Sequence, residues 1–331
     1  MKKILITGAS GFIGGFLTEE ALKQGFDVYV SVRKTSDLSY LTDKRIVFIN
    51  LKLEDKRSIK LRLLEIGGMD YIIHNAGVTK NCDKKYFNKV NYQFTKNLIE
   101  VLYELNNIPK KFVQISSLAA YGPGNKKTLA PIKESDTPKP VSLYGISKLK
   151  AEQYIKSLKD FPYLIFRPTG VYGPREKDYY AMYKSINNGF EIYIGNKDQH
   201  ITFIYVKDLV RLIIESLNSD IVQKSYFVTD LKNYTLCEFN KIVKNELGRK
   251  TITIVFSKKL VKLIAYFNEK LSCFLFNRIP SLNTEKFKEI SQKNWLCDSN
   301  ELVKDFNFKP NYELEHGIHE TIEWNKQKKQ L

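Results

Sequence analysis

The sequence has few of the residues that build metal centres and disulfide frameworks. Its 331 residues include four cysteines and four histidines. The cysteines, at positions 82, 237, 273 and 297, form no CxxC pair and no regular spacing. We therefore expect reduced thiols in a cytoplasmic protein and no metal site.

Long uncharged apolar segments are also missing. No window of about 18 residues is apolar and charge-free enough to cross a bilayer, so we expect no membrane span. The nearest candidate, residues 260–276, is interrupted by Lys262, Glu269 and Lys270. This segment could form an amphipathic helix that contacts a membrane surface. We favour a helix packed on the core or at a dimer face, because apolar stripes are usually buried.

Acidic residues are too few to balance the basic ones. Lysine and arginine number 53, aspartate and glutamate 36, and the formal net charge is +17. Such an excess can attract nucleic acid, anionic lipid or an anionic substrate. The lysines are scattered, whereas nucleic-acid-binding proteins usually cluster basic residues on one face or motif. We expect a small-molecule substrate and no nucleic-acid partner.

Short apolar runs alternate with amphipathic stretches over the first two thirds of the chain. The predicted strands are residues 3–7, 27–32, 46–49, 71–74, 112–116, 163–167 and 225–228. The predicted helices are residues 12–24, 55–66, 84–107 and 142–159. This alternation indicates an α/β fold, with a parallel sheet and helices on both of its faces.

A glycine loop follows the first predicted strand, where residues 7–14 read TGASGFIG. Gly8 permits a tight turn, and Gly11 lets backbone N–H groups approach a pyrophosphate at the positive end of a helix. Gly14 lets that helix pack closely on the strand. Glycines also occur in ordinary turns, but strand, loop and helix here follow the order that a dinucleotide site requires. We therefore predict dinucleotide binding.

The order of strands and helices breaks after Arg167. We predict a Rossmann-type, doubly wound domain that comprises residues 1–167 and about 204–230. Residues from about 168 to 203 and from 231 to 331 have no second glycine loop, and we predict a smaller, mostly helical substrate-binding lobe there. Ligands bind at the carboxyl ends of the strands in such sheets, so this lobe should cover that edge.

The end of the second strand bears on the choice of cofactor. An NAD site usually has an acidic residue there, which bonds the ribose 2′-hydroxyl. This chain has Arg33 and Lys34 instead, and both could bind a 2′-phosphate. The two residues could also be ordinary surface residues of a lysine-rich chain. We favour NADP as the cofactor, with NAD as the alternative.

Tyr144 and Lys148 form a YxxxK pattern on a predicted helix, where residues four apart share one face. An ammonium beside a phenol favours the phenolate and should lower the phenol pKa from about 10 toward neutrality. Tyr144 could then exchange a proton near neutral pH. Ser117, at the end of the fifth strand, could bond the substrate oxygen. Ser116 is the alternative, but neighbours on a strand point to opposite faces, so only one of them can serve.

Seven motifs occur together along residues 1–210. They are TGASGFIG at 7–14, HNAG at 74–77, VNYQFTKN at 90–97, ISSLAAYG at 115–122, YGISK at 144–148, RPTGVYGPR at 167–175 and FIYVKDL at 203–209. With them the chain resembles the extended short-chain dehydrogenase/reductase superfamily, the group that includes the NAD-dependent epimerase/dehydratase proteins. The C-terminal part, with NWLCD at 294–298, looks like members related to 3β-hydroxysteroid dehydrogenases and dihydroflavonol reductases.

The resemblance implies roles for individual residues. Ser117 would orient the substrate oxygen, Tyr144 would be the general acid/base, and Lys148 would also hold the nicotinamide ribose. Asn91 would lie near the active site as the fourth member of the catalytic set. The residues implied to line the cofactor cleft are Phe12, Ile13, Ala76, Gly77 and Thr169.

The chain also departs from the patterns of the superfamily. Dehydratases usually have an Asp-Glu pair after the catalytic hydroxyl, where this chain has Leu118 and Ala119. Many nucleotide-sugar epimerases have asparagine at the position of Gly170, which argues mildly against a nucleotide diphosphate in the substrate pocket. Arg175 could still bind a phosphate or form a salt bridge between the lobes.

The motifs indicate an NAD(P)-dependent oxidoreductase that transfers a hydride reversibly between nicotinamide and a secondary alcohol or ketone. A nucleotide-sugar epimerase with tightly bound NAD is the first alternative. A non-catalytic dinucleotide sensor is the second, although it would not require Ser117, Tyr144 and Lys148 together. A homodimer and peripheral membrane contact at 260–276 stay open.

Overall fold

A seven-stranded parallel sheet forms the centre of the molecule, in a computed structural model that describes residues 1–195, 197–276 and 279–331. Its strands lie in the order β11-β6-β5-β4-β1-β2-β3. They are β1 (Lys3–Thr7), β2 (Asp27–Ser31), β3 (Val47–Ile49), β4 (Tyr71–His74), β5 (Lys111–Ile115), β6 (Tyr163–Pro168) and β11 (Lys224–Val228). The predicted Rossmann-type sheet is therefore confirmed. Strand order reverses between β1 and β4, which places a ligand crevice at their carboxyl ends.

Alternate residues of the central strands pack on opposite faces of the sheet. Ile4 and Ile6 of β1 lie in one core cluster, whereas Leu5 lies in the other with Ile72 and Leu98. Side chains alternate in this way along any strand, and a parallel sheet is covered by helices on both faces. The central strands consequently read as continuous apolar runs, which is why the sequence predicts them closely.

Twelve α-helices lie within the described residues. They are α1 (Phe12–Lys23), α2 (Lys56–Ile66), α3 (Lys85–Asn88), α4 (Phe94–Glu104), α5 (Leu143–Lys156), α6 (Tyr180–Asn187), α7 (Val206–Ser216), α8 (Leu236–Leu247), α9 (Lys258–Phe276), α10 (Thr284–Ile290), α11 (Asn300–Phe306) and α12 (Leu314–Gln327). The predicted helix at 84–107 is not one continuous α-helix, because a π-helical turn at Lys89–Gln93 separates α3 from α4. Such turns often lie at functional sites, and this one contains Asn91.

The part of the chain after β6 contains helices α6 to α12 and several short strands. The strands are β7 (Gly170–Tyr172), β8 (Phe190–Ile194), β9 (His200–Ile201), β10 (Phe203–Tyr205), β12 (Tyr234–Thr235), β13 (Ile252–Phe256) and β14 (Asn294–Trp295). They form three small sheets, β10-β7, β12-β9-β14 and β13-β8. Helix α11 packs against the central sheet, and its Leu302 joins the core beside α1 and α7. The proposed lobe boundaries stay a prediction.

The prediction of four reduced thiols is wrong for two of the cysteines. Cys82 and Cys273 are joined in a disulfide with their Cα atoms 5.9 Å apart, while Cys237 and Cys297 are free. The paired residues are 191 positions apart in the sequence. Their proximity arises only because the fold places α9 beside the loop after β4. In the part of the chain that the structure describes, no helix is long and apolar enough to cross a membrane.

Candidate active site

The glycine loop connects β1 to α1 with very little space for side chains. Gly8 has a φ of +69°, and a Cβ on it would lie 2.8 Å from backbone atoms of Asn75 and Ala76. A Cβ on Gly14 would lie 2.1 Å from the Gly8 carbonyl oxygen. The first turn of an α-helix leaves its amide groups without acceptors inside the helix, and in α1 these belong to Phe12, Ile13 and Gly14. They and the helix dipole form a site that suits the diphosphate of a dinucleotide.

The loops after β1 and β4 are bonded to each other. The Thr7 hydroxyl accepts the Ala76 N–H at 3.1 Å, and the Asn75 amide donates to the Gly8 carbonyl at 3.2 Å. The Thr7 hydroxyl also pairs with His74 Nδ1 at 2.9 Å. Burial lowers the pKa of His74 to about 3, so its imidazole is neutral. These bonds fix the two loops that border the crevice.

Asn91 holds the β4 loop to the helix that carries Tyr144. Its Oδ1 accepts the Val78 N–H at 2.8 Å, and its Nδ2 donates to the Val78 carbonyl at 3.0 Å and to the Ser147 hydroxyl at 2.9 Å. A Cβ on Gly77 would lie 3.2 Å from both Asn91 Oδ1 and Lys148 Nζ. The structure thus brings Asn91, Gly77 and Lys148 together, and Asn91 joins the loop after β4 to α5.

The two serines at the end of β5 have different surroundings. Ser116 is buried, and its hydroxyl donates to the Glu152 carboxylate, which also binds Arg167. Ser117 lines a cavity together with Tyr144. Its hydroxyl accepts the Ala119 N–H at 3.1 Å. Of the two candidates, the structure therefore places Ser117 where a substrate oxygen could lie.

The Tyr144 phenol has a raised pKa, contrary to the expected lowering by Lys148. Burial raises this pKa most, Ser117 lowers it through a hydrogen bond, and the charge of Glu289 raises it further. Lys148 Nζ lies 5.9 Å from the centre of the Tyr144 ring and donates to the Ile115 carbonyl at 2.8 Å. Burial lowers the pKa of Lys148 to about 8, against the opposing charge of Glu152. The ammonium thus bonds the backbone, and Tyr144 is protonated at neutral pH.

A cavity of about 610 Å³ lies in front of Ser117 and Tyr144. Much of its wall is apolar, with Met182, Ile186 and Ile192 among the lining residues. Its two lysines both form ion pairs with the Asp178 carboxylate, which lies 3.6 Å from Lys80 Nζ and 3.0 Å from Lys286 Nζ. The cavity therefore offers the Ser117 and Tyr144 hydroxyls for one polar group of a ligand, and both apolar contacts and further polar side chains, such as Glu176 and Asn240, for the rest.

The surroundings of Gly170 and Arg175 bear on whether the substrate pocket could bind a nucleotide diphosphate. A Cβ on Gly170 would lie 2.3 Å from the Tyr179 hydroxyl, so Tyr179 fills the space that a side chain there would need. Arg175 pairs with Glu19 of α1 at 2.8 Å and stacks on Tyr40. Arg175 was expected either to bind a phosphate or to form a salt bridge. The structure supports the salt bridge, which Arg175 forms with Glu19 of α1.

The remaining predicted cofactor residues lie near the crevice in different environments. Arg33 and Lys34 are exposed just after β2, whose last residue, Ser31, pairs with Thr7. They could reach the ribose end of a dinucleotide bound on α1. Thr169 lines the cavity, but its hydroxyl donates to the Thr202 carbonyl at 2.7 Å.

Two carboxylates of α10 belong to the site and were not predicted. Glu285 accepts the Leu143 N–H at 2.6 Å, and Glu289 accepts the Ser142 hydroxyl at 2.6 Å. Both therefore contact the start of α5, and Glu289 acts on the pKa of Tyr144. No motif marks them, because they lie about 140 positions beyond the residues that they contact.

The model of the NAD dependent epimerase/dehydratase family matches residues 4–228. The chain belongs to this family. The sequence-based resemblance to extended short-chain dehydrogenases/reductases is thereby confirmed, and so is the expectation of an enzyme that uses a nicotinamide dinucleotide.

Several proteins that are similar to this chain are described as UDP-glucose epimerases. A putative UDP-glucose 4-epimerase of Methanocaldococcus jannaschii is 28% identical over 264 residues, 74% of this chain and 82% of the relative. The UDP-glucose 4-epimerase of Thermotoga maritima, solved with UDP-glucose, has a TM-score of 0.79 at 20% identity and covers 98% of this chain and 99% of its own. The UDP-glucose 4-epimerase of Thermus thermophilus, solved with NAD, has a TM-score of 0.78 at 19% identity with the same coverage. At such identities the two solved structures show a shared fold.

Proposed function

We propose that the protein transfers a hydride reversibly between a nicotinamide dinucleotide and a secondary alcohol or its ketone, with Tyr144 as general acid/base. One observation carries this proposal. The hydroxyls of Ser117 and Tyr144 line one cavity at the carboxyl edge of the sheet. The glycine loop that would bind the dinucleotide lies at the same edge.

The chain's own residues would perform the proton transfer. A bound nicotinamide supplies or accepts the hydride. In reduction, Tyr144 donates its proton to the carbonyl oxygen while Ser117 holds that oxygen; in oxidation, Tyr144 accepts the alcohol proton. Burial raises the pKa of Tyr144, which keeps the phenol protonated at neutral pH.

The surroundings of the hydroxyls support a substrate without a nucleotide diphosphate. Tyr179 fills the space beside Gly170, and the nearby lysines bind Asp178. A nucleotide-sugar epimerase is the second candidate, because a relative 28% identical is described as a putative UDP-glucose 4-epimerase.

The retained nucleotide of the purified protein discriminates the two candidates. An epimerase returns its hydride to the same substrate molecule and keeps its cofactor, so mass spectrometry should find tightly bound NAD. A reductase exchanges its cofactor, so we expect an empty site that binds added NADPH.

For the cofactor we propose NADP, with Arg33 and Lys34 on its 2′-phosphate. A charge-assisted bond contributes about 1.5–3 kcal/mol, so Arg33→Ala should weaken NADPH binding about tenfold or more and leave NADH binding unchanged. Arg62→Ala, an exposed arginine of α2, is the control. Tighter binding of NADH than of NADPH by the wild type would refute the assignment.

Tyr144→Phe tests the proposed chemistry itself. A panel of secondary alcohols and ketones is screened by nicotinamide absorbance with wild type and variant in parallel. Loss of a general acid/base lowers turnover by about a hundredfold to ten-thousandfold, while the Kd for the dinucleotide should not change. Equal turnover by the variant on a substrate of the wild type would disprove the role of Tyr144.

We further propose a cytoplasmic location, where a reductase would draw on the nicotinamide pool of the cell.

A further inference from the structure

Helix α9 has two apolar faces, and only one of them is packed. Val261 and Ala265 are buried against the rest of the protein. A second apolar row follows the spacing i, i+3, i+4, i+7, which places its members along one side of a helix. This outer stripe consists of Leu260, Leu263, Ile264, Phe267, Leu271, Phe274 and Leu275.

The outer stripe is exposed along the whole helix. The exposed fractions are 54% for Leu263, 60% for Phe267, 59% for Leu271 and 86% for Phe274. Single exposed apolar residues are common, but a continuous row of this kind marks a surface that binds another molecule or a membrane. At 19 residues, α9 is about 28 Å long, so the row forms an extended face.

Basic residues accompany the stripe. Lys258, Lys259, Lys262 and Lys270 are exposed on α9, against one acidic residue, Glu269. Lys259 and Lys270 lie four residues before and seven after Leu263, so they share its side of the helix. An apolar row edged with lysines matches the interface of an anionic bilayer, where the stems stay among apolar atoms and the ammonium groups reach the phosphates.

A second copy of the chain fits this surface less well. A symmetric pair of molecules meeting through α9 would bring the same lysines of both helices together. The formal charge of +17 on each chain adds to that repulsion. An anionic surface removes the conflict because it neutralises the lysines.

The helix is fixed to the wall of the cavity. The Glu269 carboxylate accepts the N–H of Thr284 at 2.7 Å and its hydroxyl at 2.6 Å, which joins α9 to α10. The disulfide from Cys273 joins α9 to the loop after β4. Residues of that loop and of α10, Lys80 and Lys286 among them, line the cavity.

We propose that the outer stripe of α9 docks on an anionic phospholipid bilayer. The helix lies in the interfacial plane, with its apolar row among the acyl chains and its lysines at the headgroups. Docking brings the cavity wall to the lipid surface. The proposal concerns the surface alone and does not depend on the reaction.

Vesicle co-sedimentation of the full-length protein tests the proposal. Vesicles of phosphatidylglycerol and phosphatidylcholine in equal parts should sediment the wild type, and vesicles of phosphatidylcholine alone should not. The triple variant Leu263→Glu/Phe267→Glu/Leu271→Glu should stay in solution. The control Leu61→Glu/Leu64→Glu on α2 changes side chains of similar exposure, 60% and 62%, and should bind as the wild type does.

The contribution of charge is measured separately. A lysine near an anionic surface strengthens binding by about fivefold, so Lys259→Gln/Lys270→Gln should weaken it about 25-fold. Thermal unfolding verifies that each variant is folded. The proposal is overturned if the wild type does not bind the anionic vesicles, or if the folded triple variant binds them as strongly as the wild type does. A third result also overturns it: the wild type does not bind vesicles, and light scattering shows that it forms a dimer which the triple variant does not form.

Discussion

At the scale of single residues, the reactivity of the site depends on what surrounds the Tyr144 phenol. Burial and the charge of Glu289 both raise its pKa, and Ser117 lowers it. Alternation along a strand shows from sequence that only one of Ser116 and Ser117 can serve, and the resemblance to the superfamily favours Ser117. Glu289 could not, since nothing in a sequence places α10 beside the start of α5. Nor does a sequence show that the Lys148 ammonium donates its hydrogen bond to the Ile115 carbonyl of β5, while burial dominates the pKa of the phenol.

Removal of the Glu289 charge should make Tyr144 a stronger acid. In Glu289→Gln the pKa of the phenol falls, so more phenolate is present at a given alkaline pH and alcohol oxidation speeds up there. The rate is measured from pH 7 to about 10, the ordinary pKa of a phenol, on a substrate found in the Tyr144 screen. Glu285→Gln is the matched control on the same helix, because Glu285 contacts the Leu143 amide and does not act on the phenol. An unchanged Glu289→Gln profile would contradict the electrostatic account.

At the scale of elements, the sequence predicts the central sheet better than anything attached to it. All seven of its strands lie within one or two residues of their predicted positions. The central strands are buried on both faces and therefore read as apolar runs. The π-helical turn at Lys89–Gln93 was not predicted, because apolar periodicity does not distinguish it from an α-helix. The pairing of β8 with β13 joins residues about 60 positions apart and leaves no local pattern.

The contact between α1 and the glycine loop should tolerate almost no added volume. In Gly14→Ala the new methyl group would lie 2.1 Å from the Gly8 carbonyl oxygen, so the loop or the helix must move. We expect a loss of about 1–3 kcal/mol in the free energy of unfolding. The affinity for the dinucleotide should also fall about tenfold or more. The reason is that the backbone amides at the start of α1, which would bind the diphosphate, are displaced.

Gly15→Ala provides the comparison in the same helix. Its methyl group would lie 3.3 Å from the end of the Arg175 side chain and at an ordinary contact distance, 3.9 Å, from the Ala9 carbonyl oxygen and Tyr40. Because alanine favours a helix over glycine by about 1 kcal/mol, stability should be unchanged or slightly higher. Urea unfolding and fluorescence titration with NADPH measure both variants. Equal losses in the two would show that close packing at Gly14 is not the cause.

At the scale of the whole molecule, contacts between distant segments were the least predictable part. The Cys82–Cys273 bond and the exposed face of α9 both follow from where α9 lies, and its periodicity alone favoured a buried helix. The glycine loop, the HNAG motif and Ser117, by contrast, lie at one edge because each follows a strand of the parallel sheet, β1, β4 and β5.

The disulfide can be verified by counting thiols. Protein purified without reductant should show two reactive thiols in denaturant, those of Cys237 and Cys297, and four after reduction. Cys273→Ser should raise the unreduced count to three, because it releases Cys82, whereas Cys237→Ser should lower it to one. Four thiols in the unreduced wild type would contradict the bond.

A crystal structure with NADPH bound tests the central claim most directly. We predict that the diphosphate lies on the amides of Phe12, Ile13 and Gly14 and that the nicotinamide ring lies in the crevice beside Ser117 and Tyr144. The phenol oxygen should then be within hydrogen-bond reach of a substrate oxygen placed over the ring. A nicotinamide ring held away from Tyr144, or a dinucleotide that avoids the start of α1, would contradict the proposed chemistry.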